Sequence, residues 1–499
     1  MTTTRLFLSP NNPADYQTFL AVKKLPRYRI RGGMAEFPTE YAHLVGKAVQ
    51  VFSDGSAYKH WAGLFDYQRD ISAMAIRKRM FSVFADCGLG KTLIALEFAR
   101  HANYVMGRKR RMLIVAPLMV VRQTCEEAAK FYGGKLAVEQ VRAADLQSWL
   151  ESSGPTIGIT NYEAITDGLT PGKLGGLVLD ESSMLKSQCG RWGTRLIELG
   201  RGLEWKLCLT GTPAPNDRIE YANHAVFMGR FPTVNAFFAK YFINRGETNE
   251  RWELKAHGLQ DFYRSLSDWA IFLSQPAVYG WKDNSTNIPP IHVHIHDVPM
   301  TDEQTHASQK LTGGLFSEAG GFVQRGKLAR LAKGISETGN ADIETHKPKY
   351  IADLIASWPD ESTIVWCNYN REQDALAEWL PGSASISGDT PVEERYRIID
   401  AFKAGEIRTL ISKPKVLGFG LNLQVATRMV FSSLVDSYEQ YYQAVKRSNR
   451  VGSTRPLNVH IPVTEIERAM VANVLRKSAR VQADTEEQER LFQLNRAAK

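Results

Sequence analysis

Between an apolar run at residues 81–84 and another at 93–98, the chain reads Ala85-Asp86-Cys87-Gly88-Leu89-Gly90-Lys91-Thr92. No other stretch limits the possible folds as tightly. A short apolar strand, a glycine-rich turn and a helix opening at Lys-Thr are the setting of a phosphate-binding loop. Glycines let successive backbone N–H groups converge on one small volume, and the helix N-terminus adds positive potential there. Lys91 contributes a point charge, and the Thr92 hydroxyl is a ligand for magnesium. The usual pattern begins with glycine, and Ala85 stands in that place.

A buried strand feeding such a loop calls for a parallel sheet, and the chain supplies the pattern twice. Strand-like runs at 81–84, 112–116, 156–159, 177–179 and 205–209 alternate with helix-like stretches. A second set follows at 363–366, 384–386, 409–411, 429–431 and 458–461. Two similar sheets predict two α/β lobes. Residues 215–290 read as helical and aromatic-rich, closing on Asn287-Ile288-Pro289-Pro290 as a linker into the second lobe. Gly313-Gly314 and Gly320-Gly321 mark turns, and residues 337–347 read as an exposed polar loop. The expected divisions are an accessory region at 1–60, a first lobe at 61–285 with a helical insertion from about 215, a second lobe at 286–475, and a surface helix at 476–499.

With 499 residues and 43% hydrophobic content, there is material for more than one core. A net charge of +9 suits a polyanionic partner such as nucleic acid. Cys87, Cys125, Cys189, Cys208 and Cys367 are scattered with no C-x-x-C pair, which argues against a disulfide framework or a zinc site and suits a reducing cytoplasm. No signal segment is visible and no apolar run reaches the roughly eighteen residues of a membrane span, so export and membrane insertion are not expected.

Downstream of the loop, an apolar Leu177-Val178-Leu179 run ends in Asp180-Glu181-Ser182-Ser183. Adjacent acids at a strand's carboxyl end fit ATP hydrolysis: Asp180 holds magnesium through water, and Glu181 orients and deprotonates the attacking water. Farther on, Gln443, Arg447 and Arg450 recur at a spacing that places them along one helical face. Arginines supplied across a cleft would meet the charge of a departing γ-phosphate and let nucleotide state control closure.

In this order the segments resemble the superfamily 2 helicases and, within them, the Swi/Snf-type ATPases, over about residues 64–475. The resemblance implies two tandem RecA-like lobes that use ATP and Mg2+. Phe65-Asp66-Tyr67-Gln68 looks like the segment whose glutamine reads the adenine edge, which gives Gln68 that role beside the ATP-binding Gly88, Leu89, Gly90, Lys91 and Thr92. Gly420, within Gly418-Phe419-Gly420-Leu421-Asn422-Leu423, joins them from the second lobe. Catalysis would fall to Lys91, Asp180, Glu181, Arg447 and Arg450, with Arg450 the finger and with Thr92 and Asp180 on the metal. Ser183, Thr210, Thr212 and Gln443 take the coupling role, the threonines within Leu209-Thr210-Gly211-Thr212-Pro213-Ala214-Pro215-Asn216. Pro117, Thr160, Asn161, Asn368, Gly388 and Lys415 match segments that touch the nucleic-acid backbone.

The sequence departs from that family in places. Ser182-Ser183 stands where Gly-His is common, Lys413-Pro414-Lys415 replaces Ser-Thr-Lys, and Val451-Gly452-Ser453 is a partial match to Ile-Gly-Gln. Pro414 has no N–H to offer a phosphate. The compact length and the Asp-Glu-Ser-Ser form look more like phage or prophage members than chromatin remodellers. The implied function is an ATP-dependent motor that translocates on DNA, duplex in preference to single-stranded DNA or RNA, in the cytoplasm of a bacterial or phage-infected cell. Replication, recombination or nuclease proteins are its possible partners. A strand-separating DNA or RNA helicase would share every motif, and a nucleotide-gated DNA-binding scaffold is the reading from another class.

Two further signals are weaker. His292, His294 and His296 alternate, so on a strand they share one face, as a metal site or as the polar side of a half-exposed strand; the second reading is favoured because no other ligand cluster is visible. Residues 23–31, Lys-Lys-Leu-Pro-Arg-Tyr-Arg-Ile-Arg, interleave basic and aromatic residues, as a nucleic-acid grip or as a solvated strand.

Overall fold

The computed structural model describes residues 3–46, 58–107, 109–152, 157–186, 190–246, 252–282, 288–312, 321–358, 361–417, 421–435, 437–450 and 452–496. Its chain divides into two units, Met1–Asp283 with Val481–Lys499, and Asn284–Arg480. Each is built on one parallel sheet, as the repeated strand pattern predicts.

In the first unit seven strands lie in the order Ala270–Leu273, Met80–Ala85, Trp205–Thr210, Leu174–Asp180, Arg111–Ala116, Ile157–Asn161, Glu139–Gln140. All neighbours are parallel. The central strands are near-continuous apolar runs because both faces are covered. Successive side chains feed opposite cores: Leu113 and Val115 pack with Leu177, Leu179 and Cys208 on one side, while Met112 and Ile114 pack with Val178, Leu207 and Leu209 on the other. Parallel strands end at a common edge. Loops 86–90, 181–183 and 211–213 therefore gather there, where doubly wound sheets bind ligands.

The region from 215 to 290 is less helical than its composition suggests. Helices Tyr221–Phe227, Val234–Tyr241 and Leu259–Trp269 are present, but Phe242–Asn244 pairs with Trp252–Leu254 as a hairpin. Ala270–Leu273 then enters the main sheet beside the phosphate-loop strand. Asn287 of the expected linker lies outside the described residues.

Residues 3–45 form an antiparallel sheet in the order Thr3–Phe7, Met34–Pro38, Arg29–Arg31, with the helix Pro13–Lys23 against it. Of the basic-aromatic segment, Arg29–Arg31 is thus an edge strand. A buried polar hub ties this sheet to the lobe. Asp268 accepts the Tyr41 hydroxyl at 2.8 Å and lies 3.3 Å from the Arg230 guanidinium and 3.9 Å from Lys78 Nζ. Lys78 also reaches Glu40 at 2.9 Å.

The chain's last described element is one 29-residue helix, Arg468–Arg496, where the sequence suggests a separate surface helix. Beyond residue 481 it is packed onto the first unit. Asp484 takes two bonds from Arg218, at 2.7 and 3.0 Å, and one from Tyr263, at 2.8 Å, while Leu491 and Phe492 are buried.

The second unit's six parallel strands run in the order Ile291–Asp297, Leu457–Val463, Arg428–Phe431, Thr363–Trp366, Thr409–Ser412, Ala384–Ile386. Lys347, read from sequence as the end of a polar loop, is instead buried at the start of the helix Lys347–Ala356 and pairs with Glu467 at 2.5 Å. The histidine row lies on the edge strand and is taken up by stacking. His294 and His296 stack on His460 of the neighbouring strand, and His296 Nε2 is 2.9 Å from His460 Nδ1. Among the described residues, no cluster of three metal-ligating side chains exists.

Two stability predictions follow from these buried groups. Removing Asp268 takes the carboxylate from the buried Arg230 and leaves Lys78 with Glu40 alone, so Asp268→Ala should lower the first unit's stability by about 3–5 kcal/mol. Urea denaturation measures this, and an unchanged midpoint would refute the hub. His460 has its pKa pulled from 6.5 to about 3, by burial first and then by His294, His296 and Arg428. Between those values the unfolded chain binds a proton that the fold refuses. The second unit therefore keeps this stability above about pH 6.5 and loses it progressively as the pH falls from there toward about 3. His460→Phe, which keeps a ring in the stack, should flatten the acid limb of the stability profile.

Candidate active site

Met80–Ala85 delivers the chain into the glycine-rich turn, and Lys91–Val105 carries it away. Gly88 and Gly90 have φ of +85° and +65°, a conformation that L side chains resist. Gly90 is the N-cap of the helix, so the free N–H groups of its first turn face the loop. Lys91 Nζ donates to the carbonyls of Ala85 at 2.8 Å and Asp86 at 3.1 Å, closing the loop on itself. Leu89 is buried in the core, and Thr92 is half-buried at the helix start.

Gln68 sits beneath this loop. Its Oε1 accepts the Phe65 N–H at 3.0 Å, and its Nε2 donates to the Leu89 carbonyl at 3.5 Å, alongside the Tyr67 hydroxyl at 3.1 Å. The residue expected to read adenine is thus a buried support for the turn. Contact is close enough that a Cβ at Gly90 would lie 2.1 Å from Gln68 Nε2.

The acids end the strand Leu174–Asp180, and only Trp205–Thr210 separates it from the phosphate-loop strand. Burial, followed by the neighbouring Glu181 charge, pushes the Asp180 pKa up to about 7, with Lys91 opposing. A divalent cation beside Asp180 would oppose both effects. Thr92 and Asp180 offer hard oxygen donors, the set that binds magnesium together with substrate phosphates. The residues therefore fit Mg-ATP.

Glu181 adopts φ +54° and ψ +53°, a left-handed conformation that costs a non-glycine residue about 1–2 kcal/mol. Its Oε1 accepts two hydroxyls, Thr210 Oγ1 at 2.6 Å and Ser183 Oγ at 3.2 Å. Thr210 Oγ1 in turn accepts the Thr212 N–H at 3.1 Å. Three of the residues expected to couple hydrolysis to movement thus converge on the candidate base. Tyr162, which the sequence reading passed over as a functional group, donates to the Asp180 carbonyl at 2.7 Å.

Candidate nucleic-acid contacts divide. Pro117 is buried at the N-cap of the helix Leu118–Tyr132, and Asn161 is half-buried at the first unit's carboxyl edge. Thr160 is buried, and its hydroxyl donates to the Val141 carbonyl at 2.8 Å. In the second unit Gly388 and Lys415 are exposed. Arg395 braces the Gly388 loop by donating to the carbonyls of Gly388 at 2.6 Å and Thr390 at 2.8 Å. Asn368 is turned inward, donating to Ser433 Oγ at 2.8 Å and the Ser433 carbonyl at 3.0 Å.

The arginine pair departs from the helical reading. The helix Tyr438–Val445 ends before either arginine, so Gln443, Arg447 and Arg450 do not share a helical face. Arg447 is buried, donates to the Leu417 carbonyl at 3.3 Å and lies over the Trp366 ring. Arg450 is half-buried in the following turn. Gly420 lies outside the described residues.

Residues 82–348, more than half the chain, match the SNF2-related domain, and residues 346–452 match the helicase conserved C-terminal domain. The chain belongs to the SNF2-related family. Its SNF2-related and helicase C-terminal domains are those of a helicase-like ATPase. A DNA annealing helicase and endonuclease, ZRANB3 of Bos taurus, is 25% identical over 426 residues, covering 80% of this chain but 38% of its own length. The putative protein p41 of Acyrthosiphon pisum secondary endosymbiont phage 1 is 26% identical, and the match covers 79% of this chain and 91% of p41. The solved Sulfolobus solfataricus SWI2/SNF2 ATPase core in complex with dsDNA aligns over 88% of this chain and 97% of its own, at 17% identity and a TM-score of 0.37.

Gly90→Ala tests the loop geometry. Both the positive φ and the Gln68 clash oppose it, so ATP affinity should fall at least about tenfold, and the strain should lower the melting temperature as well. Nucleotide titration would measure this, and unaltered affinity would show that the turn is not the phosphate cradle.

Proposed function

We propose that the chain is a motor that hydrolyses ATP at the first unit's carboxyl edge and uses the cycle to translocate along duplex DNA. The observation that carries this reading is the bond from Thr210 to Glu181 at 2.6 Å. It joins the candidate base to the segment at 209–216, so a change at the reacting centre is felt directly by the element expected to move.

In this reading, Lys91 leaves the carbonyls of Ala85 and Asp86 for the phosphate oxygens, which the loop's N–H groups cradle. Thr92 and Asp180 would hold Mg2+, which when bound neutralises phosphate charge and fixes the phosphate oxygens for displacement. Glu181, held by two hydroxyls, orients a water and accepts its proton. Arg450 is the cation assigned to the departing phosphoryl group, because Arg447 is bound up within its own unit. Gly388, Lys415 and Asn161 would contact the nucleic-acid backbone, which makes binding sequence-tolerant and salt-sensitive.

The printed name of the bovine relative refers to DNA, and the net charge of +9 favours a polyanion. The phage relative, matched over 91% of its length, supports a cytoplasmic setting in a bacterial or phage-infected cell. Among the described residues, no helix is long and apolar enough to cross a membrane.

The test is steady-state ATP turnover with linear duplex DNA, single-stranded DNA and RNA, alongside triplex displacement and forked-substrate unwinding. Duplex DNA should stimulate most, and triplexes should be displaced without fork unwinding. Lys91→Ala and Glu181→Gln should each lower turnover by about a hundredfold or more. Stimulation by RNA alone, or full turnover in Glu181→Gln, would overturn the proposal.

A further inference from the structure

The Asp-Glu-Ser-Ser sequence lacks the histidine common after the acidic pair, yet a histidine does reach that turn from elsewhere in the chain. His224 lies on the helix Tyr221–Phe227, which follows the coupling segment, and its Nε2 is 3.0 Å from Ser182 Oγ. Both residues have 0% exposure. The adjacent Asn223 donates through Nδ2 to the Leu185 carbonyl at 2.6 Å, so two consecutive side chains clamp this helix to the turn Ser182–Leu185. Phe84, at the end of the phosphate-loop strand, packs edge-on against the imidazole with ring centroids 5.4 Å apart.

This turn begins at the left-handed Glu181, whose backbone favours the right-handed region unless something holds it. Three bonds fasten the segment at 209–227 to the turn: Thr210 to Glu181, His224 to Ser182, and Asn223 to Leu185. Thr210 holds the carboxylate, Asn223 holds a backbone carbonyl of the turn, and His224 holds the Ser182 hydroxyl next to Glu181. We propose that His224 is a positioning residue for hydrolysis: through Ser182 it fixes the turn that aims Glu181, doing from a downstream helix what the absent neighbouring histidine would do. The inference deepens the motor reading above and rests on it.

Burial keeps the imidazole neutral, with its pKa drawn down to about 4. A neutral ring carries one donor and one acceptor nitrogen, so it can bond a hydroxyl at any pH where the protein works. A carboxamide has the same pair of functions and a hydrocarbon has neither. That difference separates positioning from mere volume.

The experiment compares wild type, His224→Gln, His224→Leu, Ser182→Ala and the double variant Ser182→Ala/His224→Leu, reading duplex-stimulated kcat, KM for ATP, ATP binding and melting temperature. Expected are a fall in kcat of about tenfold for His224→Leu and Ser182→Ala, with KM and ATP binding within about twofold, and recovery to within about threefold of wild type in His224→Gln. The double variant should be no worse than the poorer single variant, because both break one bond. Ser182→Ala removes only one oxygen and keeps the assay informative if His224→Leu folds poorly. Wild-type kcat in Ser182→Ala, multiplicative losses in the double variant, or a His224→Gln as impaired as His224→Leu would each overturn the assignment. Failure of the motor reading is separable: wild-type protein would then show no duplex-stimulated turnover.

Discussion

Glu181 is held in a conformation it would not choose. A left-handed backbone at a non-glycine residue persists only where its surroundings over-determine it. Here they do, through the 2.6 Å bond from Thr210 and the 3.2 Å bond from Ser183, with the turn behind it clamped by Asn223 and His224. That conformation sets the carboxylate against Thr210 and Ser183 just beyond the end of a buried strand. The acid's position is therefore set by the segment at 209–227 as much as by its own strand.

The phosphate loop shows the same economy of supports. Its glycines supply the backbone conformation, but its height above the sheet is fixed by Leu89 in the core and by Tyr67 and Gln68 on the Leu89 carbonyl. Gln68 is bonded both to this loop and to the entry of its own helix at Phe65. A change at either end would therefore be transmitted to the other through one side chain.

Much of this was legible in the sequence because parallel strands buried on both faces leave uninterrupted apolar runs. Arg111–Ala116 and Trp205–Thr210 are such runs, and the motifs at their carboxyl ends come in a readable order. Ala270–Leu273 was hidden because four apolar residues after an aromatic helix carry no period of their own. The helical reading of Gln443, Arg447 and Arg450 rested on three positions. The helix stops at Val445, and the turn after it is held by Ser453 Oγ on the Ser448 carbonyl at 2.6 Å and by Asn449 on the Pro289 carbonyl at 2.7 Å. Thr160 matched a motif by type, yet its hydroxyl is satisfied by Val141, a partner that only the fold brings near. His224 gave no signal at all, since a single histidine in Tyr-Ala-Asn-His-Ala-Val-Phe reads as an ordinary buried residue.

The two acids are neighbours in sequence but not in environment, and this division suits separate tasks. Glu181 has hydroxyl donors aimed at it from two directions, both from buried side chains. Asp180 has the backbone N–H of Glu181 at 3.1 Å, and burial and its neighbour's charge drive its pKa to about 7. A carboxylate so placed gains most from a divalent cation, because the cation removes both penalties together. Hydroxyl donors at Glu181, by contrast, orient a carboxylate without neutralising it, which is what a base requires. Swapping the two environments would leave a metal ligand crowded by hydroxyls and a base held by burial in its protonated form. The order Asp-Glu thus matches the roles proposed for the two acids, with Asp180 the strand's last residue and Glu181 the first of the strained turn.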